Sequence, residues 1–310
     1  MNTSIFYWPY CLRSRATMNA LTDRREVHGA LIKAGQGYGC INPWPELGDE
    51  SLTQELRRLK EGLPGKLGRR ALQCASLDGE ARRHQVSLYA GLEMPVCHGH
   101  LSGDNWDEVA EFSVVKVKVD GSSMLKLRDV LGQASQRFQR VRLDFNGTGN
   151  ARLLISWWKS LRSQDQEAVD YIEDPCPFDI HDWALMEQEG LPLALDRSQK
   201  NGKFGYDVAV LKPSTEDIDL ILGRERSDRR VVVTSYMDHA LGQMYAAYEC
   251  ARLRQFDPRA DMFHGLATHT LFEEDPFFEQ LSLSGGRLSA VEGTGLGFDD
   301  LLEGLPWKEL

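Results

Sequence analysis

From about residue 94 onward, short β-branched runs alternate with amphipathic stretches. The apolar runs centre near Val96, Val117, Leu143, Tyr171, Leu193, Ala209, Val232 and Leu266. Helical spacing fills most of the intervals, over residues 124–138, 151–162, 179–189, 215–222 and 238–253. Strands separated by helices at this rhythm predict a (β/α) barrel of the TIM type. The clearest run is 113–120. Side chains in a strand alternate between faces, so Val115, Val117 and Val119 share one face, and Lys116 and Lys118 share the other. A solvated edge strand would account for two lysines on one face. The ends of the neighbouring strands argue instead for a shared polar site.

Residues 1–90 have a different rhythm and predict a separate α+β unit. Ile5 to Tyr10 and Val27 to Lys33 read as strands, and Gly35 to Gly39 as a turn. Two prolines, Pro43 and Pro45, keep the loop at 42–48 irregular. Ser51 caps a helix to about Gly62, and 69–86 is a second helix, with Leu72, Ala75, Leu77 and Ala81 near one face. The barrel occupies 91–284. The tail, 285–310, has one short strand pattern, at Arg287 to Val291, and is expected to return to the first unit.

Composition narrows the function. The 310 residues are 42% hydrophobic and 26% charged, with a net charge of -10. This is the profile of a soluble globular protein, and its acidity excludes general nucleic-acid binding. The six cysteines form no Cys-x-x-Cys pair, which predicts neither a disulfide framework nor a zinc motif and fits the cytoplasm. The apolar start is too short for a signal peptide, and no run reaches the roughly 18 residues of a membrane span. The expected ligand is a small molecule. A monomer is compatible with the sequence, which does not itself set the oligomeric state.

The candidate chemistry lies at the strand ends, where barrels of this class carry their active sites. The second strand ends with Lys116 and Lys118, the third with Asp144 and Asn146, the fourth with Glu173, the fifth with Asp196 and the sixth with Lys212. Successive residues are spaced by about one barrel unit. Any one carboxylate could be a helix cap or a surface ion pair. Ionisable residues at five consecutive strand ends form a joint pattern. Three oxygen ligands on neighbouring strands suit a hard divalent ion such as Mg²⁺, with room for a substrate carboxylate.

These motifs resemble the enolase superfamily: Lys-Val-Lys at 116–118, Leu-Asp-Phe-Asn at 143–146, Ile-Glu-Asp-Pro at 172–175, Leu-Asp at 195–196 and Leu-Lys-Pro at 211–213. Within it they are similar to the branch containing o-succinylbenzoate synthase, and so are the loop at 39–45 and the segment 235–242. The resemblance spans about residues 24–270. It implies an N-terminal α+β capping domain over a (β/α)7β barrel. It also implies Mg²⁺, replaceable by Mn²⁺, held by Asp144, Glu173 and Asp196. Lys118 would be the base, Lys116 its electrostatic partner, and Lys212 the lysine on the opposite face of the substrate. Asn146 would support the metal site, and Ser235, Gly265 and Leu266 would line the substrate pocket. The implied reaction is dehydration of a cyclohexadiene carboxylate in menaquinone biosynthesis. Racemisation of N-succinylamino acids and epimerisation of dipeptides are alternatives on the same scaffold, and a barrel that only binds a ligand is a third. The sequence departs from the pattern at Glu46, Leu47, Tyr236 and Asp238, which bears on substrate contacts.

Four other features carry less. His98 and His100 are expected to line the barrel mouth, and His264 and His269 to be loop histidines. Trp157 and Trp158 pack a helix on the barrel. Gly293 to Gly297 imitates a dinucleotide fingerprint without its strand–helix context.

Overall fold

A computed structural model describes residues 4–15, 18, 24–103, 105–119, 124–196, 205–223 and 228–310. Asp120, the last residue of the alternating run, lies outside them. The N-terminal unit is an antiparallel sheet of β1 (Ile5–Arg13), β2 (Glu26–Ala34) and β3 (Gly37–Ile41), followed by α1 (Leu52–Lys60) and α2 (Lys66–Arg83). Ser51 caps α1 with a reciprocal box: its hydroxyl accepts from Gln54 N, and Gln54 Oε1 accepts from Ser51 N at 2.9 Å.

The glycine-rich stretch expected to be a turn is mostly strand. Only Gly35, with φ 63°, turns the chain, and β3 begins at Gly37. The reason is close packing. A Cβ on Gly37 would lie 1.8 Å from Ala75 O, and one on Gly39 2.1 Å from Ala71 O. These glycines let β3 lie directly on the backbone of α2.

The second unit holds a parallel sheet in the order β11-β10-β9-β8-β7-β6-β5. After β4 (Val96–Cys97), its strands are β5 (Gly99–Leu101), β6 (Val114–Lys118), β7 (Arg140–Asp144), β8 (Val169–Glu173), β9 (Leu193–Asp196), β10 (Val208–Leu211) and β11 (Arg230–Val233). The short β12 (Phe263–His264) pairs with β4, and a Thr234–Gly265 bridge ties its exit to β11, so the sheet curls toward closure. The fold is a TIM-like barrel of the (β/α)7β kind with an N-terminal capping domain.

The helices between the strands are α3 (Met124–Arg137), α4 (Ala151–Ser160), α5 (Ser163–Ala168), α6 (Ile180–Gln188), α7 (Ile218–Leu222) and α8 (Ala240–Phe256). The strands read as nearly continuous apolar runs because both faces are buried. Val115, Leu143, Ile172 and Leu195 join the main core, with Trp157 and Trp158 of α4 buried in it. Tyr171, Ala194, Val208, Val210 and Val232 form a separate cluster. By alternation these last side chains share the barrel interior with Asp144, Glu173 and Asp196.

The tail contributes β13 (Leu283–Ser284), β14 (Arg287–Leu288), α9 (Asp299–Glu303) and β15 (Lys308–Glu309). β14 pairs with β4, and β15 pairs with β1 at Phe6 and Tyr7. The strand expected over 287–291 is regular only at Arg287–Leu288. No helix among the described residues is long and apolar enough to cross a membrane.

Candidate active site

Strand register sets the polar layer. Lys118 pairs in register with Asp144, and Asp144 with Glu173. Asp196 ends β9, and Lys212 follows β10 directly. A pocket at these strand ends is lined by Lys116, Lys118, Asp144, Glu173, Asp196 and Lys212. Asn146, Ser235 and Gly265 line it as well. Leu266 does not. Its side chain is fully buried in the main core, because alternation along the chain turns it away from the face that Gly265 presents. Leu266 is therefore a packing residue.

Lys116 Nζ lies 2.8 Å from Asp144 Oδ2 and 2.7 Å from Glu173 Oε1. Burial disfavours its charge, but the two carboxylates outweigh burial and hold its pKa well above the usual lysine value. Lys118 donates to the carbonyl of Met18. Burial lowers its pKa to about 8, Asp144 opposes that shift, and Lys116 adds to it. Burial alone would raise Asp144, yet Lys116 and Lys118 bring it down to about 2. Glu173 goes up, through burial first and then the charges of Asp144 and Asp196, against the pull of Lys116. Lys212 is ion-paired with Asp196, and its backbone N–H donates to Glu216 Oε2 at 2.8 Å.

Two strained residues shape the layer. Asn146 has φ 47°, and both its N–H and its side-chain Nδ2 donate to Asp144 Oδ1, at 3.1 and 2.8 Å. Asp174 has φ 42° and accepts from Asp196 N at 3.1 Å. Such conformations persist only where surrounding contacts enforce them. Asp174 lines the pocket and was not anticipated; its position next to Glu173 was the signal.

Among the histidines, His264 differs from expectation, while His98 and His100 fall where the sequence put them. His98 has no exposed surface, and its Nδ1 meets Arg142 Nη1 at 2.9 Å. Both His98 and His100 line the pocket, as expected from the sequence, and His98 also reaches Arg142 inside the barrel. His264 is not a loop residue: it sits in β12, fully buried, and its Nδ1 accepts from Val233 N at 3.0 Å. His269 meets Gln243 Nε2 at 2.9 Å. Arg142, two residues before Asp144 on the same face, stacks over Tyr171 and pairs with Asp170. Alternation from Asp144 could have located it.

The donor set fits a hard divalent ion in kind. It comprises three carboxylates on adjacent strands, and the buried Glu173 Oε2 has no hydrogen-bond partner. The three carboxylates do not bring one oxygen each within 4.8 Å of the others. Lys116 and Lys212 balance their charge here. Side-chain rotation would be needed to converge them on one ion.

Residues 5–81 match the family profile described as O-succinylbenzoate synthase, N-terminal domain. The chain is 31% identical over 329 residues to an o-succinylbenzoate synthase of Bdellovibrio bacteriovorus, covering 99% of this chain and 98% of that one. Among solved structures, a mandelate racemase/muconate lactonizing protein from Herpetosiphon aurantiacus superposes with TM-score 0.76 at 17% identity, over 95% of this chain and 97% of that one. A dipeptide epimerase from Enterococcus faecalis, complexed with Mg and the dipeptide L-Leu-L-Tyr, gives TM-score 0.74 at 16% identity, over 95% and 98%. Those two likenesses speak for the fold, and the full-length relative speaks for the branch. The chain is an enzyme of the o-succinylbenzoate synthase family, within the enolase superfamily.

Proposed function

We propose that the protein is a Mg²⁺-dependent o-succinylbenzoate synthase. It would remove water from 2-succinyl-6-hydroxy-2,4-cyclohexadiene-1-carboxylate to give 2-succinylbenzoate, in the cytoplasm, as a step of menaquinone biosynthesis. The observation that carries this reading is the 31% identity over 99% of the chain to an o-succinylbenzoate synthase, and the pair of lysines on either side of the carboxylates supplies the chemistry. β6 and β10 stand four strands apart in the sheet. Lys118 and Lys212 therefore approach a ring bound between them from different sides.

In this reading Lys118 takes the proton α to the substrate carboxylate. Its lowered pKa leaves part of the population neutral and able to accept one near neutral pH. The same ammonium then gives its proton to the hydroxyl that leaves from the same face. Lys212 places positive charge against the other face of the ring as it becomes anionic. Lys116 holds Asp144 and Glu173 in place and disfavours a second charge on Lys118. A divalent cation at Asp144, Glu173 and Asp196 would supply Lewis-acid stabilisation of the charge that develops on the substrate carboxylate. Asn146 fixes the rotamer of Asp144. Ser235 and Gly265 border the substrate; a Cβ at 265 would lie 2.5 Å from Thr234 Cγ2, so a larger residue there would displace Thr234.

Purified protein with Mg²⁺ is expected to convert the cyclohexadiene substrate to an aromatic product, followed by absorbance. Chelation is expected to stop turnover, and Mg²⁺ or Mn²⁺ to restore it. Full activity in metal-free protein would reject the carboxylate site. A second reading, epimerisation or racemisation, draws on the same two lysines and on the fold shared with dipeptide epimerases.

A further inference from the structure

The outward face of the capping sheet carries a set of side chains that the proposed reaction does not use. Antiparallel pairing sets Cys11 opposite His28, and Arg13 opposite Glu26. Alternation sends Tyr10, Leu12 and Val27 into the core and leaves Cys11, Glu26 and His28 exposed. One ligand atom from each of these three lies within 4.8 Å of the other two. Arg13 Nε engages Glu26 Oε1 at 3.2 Å, while Oε2 of the same carboxylate faces His28 Nε2 at 3.8 Å.

We propose that Cys11, Glu26 and His28 form a second metal site, for a borderline divalent transition ion of the Zn²⁺ class. The ligand chemistry decides the class. A thiolate, an imidazole and a carboxylate together suit Zn²⁺, whereas Mg²⁺ requires oxygen ligands almost exclusively. The molecule thus separates two ions by ligand softness: oxygen donors in the barrel, mixed sulfur, nitrogen and oxygen donors on the cap. Around a tetrahedral ion such ligand atoms stand roughly 3.3–3.6 Å apart, given typical Zn–S and Zn–N distances. The Glu26 Oε2 to His28 Nε2 distance of 3.8 Å is already close to that value, and all three atoms lie within 4.8 Å, so binding needs only modest side-chain adjustment. Strand pairing already fixes the backbone, so binding orders only three exposed side chains. Arg13 keeps Glu26 oriented through the other oxygen. The fourth position is open to water. As the sulfur–metal bond forms, the Cys11 S–H bond breaks and its proton goes to solvent.

The test uses the full chain in saturating Mg²⁺, with Zn²⁺ alone as the probe in competition with a chromophoric chelator. Wild-type protein is expected to bind one equivalent. Cys11→Ser and His28→Ala are each expected to weaken binding at least tenfold, and Glu26→Gln less. Cys11 is the exposed cysteine of the six, so alkylation by iodoacetamide reports on it alone. Zn²⁺ is expected to slow that alkylation at least tenfold in wild type and not in His28→Ala. Zinc binding that survives in Cys11→Ser but falls in Glu173→Gln would place the ion in the barrel and overturn the proposal. So would alkylation indifferent to Zn²⁺. All three side chains are exposed, so the variants should fold, and thermal melts check that they do. No readout depends on turnover, so failure here is distinct from failure of the synthase reading.

Discussion

Lys116 and Lys118 are two residues apart on one strand and have different surroundings. Lys116 neutralises two buried carboxylates at hydrogen-bond distance. Lys118 has only a backbone carbonyl as hydrogen-bond partner among the described residues. Removing one partner of a buried ion pair typically costs about 3–5 kcal/mol, because the remaining charges stay buried. Lys116→Ala is therefore expected to destabilise the metal-free protein by several kcal/mol in urea unfolding. Lys118→Ala is expected to keep its melting temperature while losing about 10²–10⁴-fold in rate, the usual worth of general acid–base catalysis. Lys118→Arg does not rescue, since Arg stays protonated. A folded Lys118→Ala protein of near wild-type rate would remove Lys118 from its role. Asp238 supplies a pH prediction. Burial raises its pKa to about 6, although Ser214 donates to it at 2.7 Å. Of the groups around it, Tyr10 and Cys40 are pushed up and His239 is pushed down to about 3, all outside the window of Asp238. A folded-state pKa above the unfolded value of about 3.9 means stability is fully present below that value and is lost as pH rises through about 6. Asp238→Asn, which keeps an acceptor for Ser214, is expected to gain on wild type as pH rises from about 4 to 6 and to hold that gain above. The gain approaches about 3 kcal/mol, two pKa units' worth. Equal slopes of stability against pH in the two proteins would refute the assignment.

The capping loop and the exit of β11 are joined by a small set of hydrogen bonds. Trp44 Nε1 donates to Tyr236 O at 2.9 Å, and Tyr236 OH donates to Asp49 Oδ2 at 2.8 Å. The same Asp49 oxygen accepts from Trp44 N at 2.9 Å. The segment they enclose includes the turn Pro45–Leu47, and Leu47 reaches the pocket. A hydrogen bond to a charged group contributes about 1.5–3 kcal/mol. With the contact holding Leu47 over bound substrate, Tyr236→Phe is expected to raise KM about tenfold with kcat little changed, and to lower the melting temperature by a few degrees. An unchanged KM would leave Tyr236 as packing only. Local elements were readable from the sequence where local chemistry forms them: Ser51 and Gln54 make a cap by themselves. The segment at 35–41 was not, because its glycines answer to α2, some thirty residues away in the chain. His264 shows the same limit. A two-residue strand has no period to read, and its burial depends on β4 and β11.

At the scale of the whole molecule, the barrel was legible because both faces of its strands are buried and every second residue enters one interior. That rule brought Lys116, Lys118, Asp144, Glu173, Asp196 and Lys212 to one pocket. It gave no account of Met18, whose carbonyl meets Lys118 from the N-terminal unit, since such a contact depends on how two units dock. Nor does the fold choose the reaction: a dipeptide epimerase shares it at 16% identity. The choice rests on what the two lysines do. Dehydration with both proton steps on one face needs Lys118 alone as acid and base. Racemisation needs a base on each face, with Lys118 and Lys212 each taking the proton from one enantiomer. Solvent exchange separates these cases. The protein, with Mg²⁺ in D₂O, is given L- and D-N-succinylamino acids separately, and the α-proton is followed by NMR. Negligible exchange and inversion are expected, alongside rapid turnover of the cyclohexadiene substrate. Efficient interconversion, with Lys118→Ala and Lys212→Ala each losing exchange of a different enantiomer, would instead make racemisation a function of this enzyme.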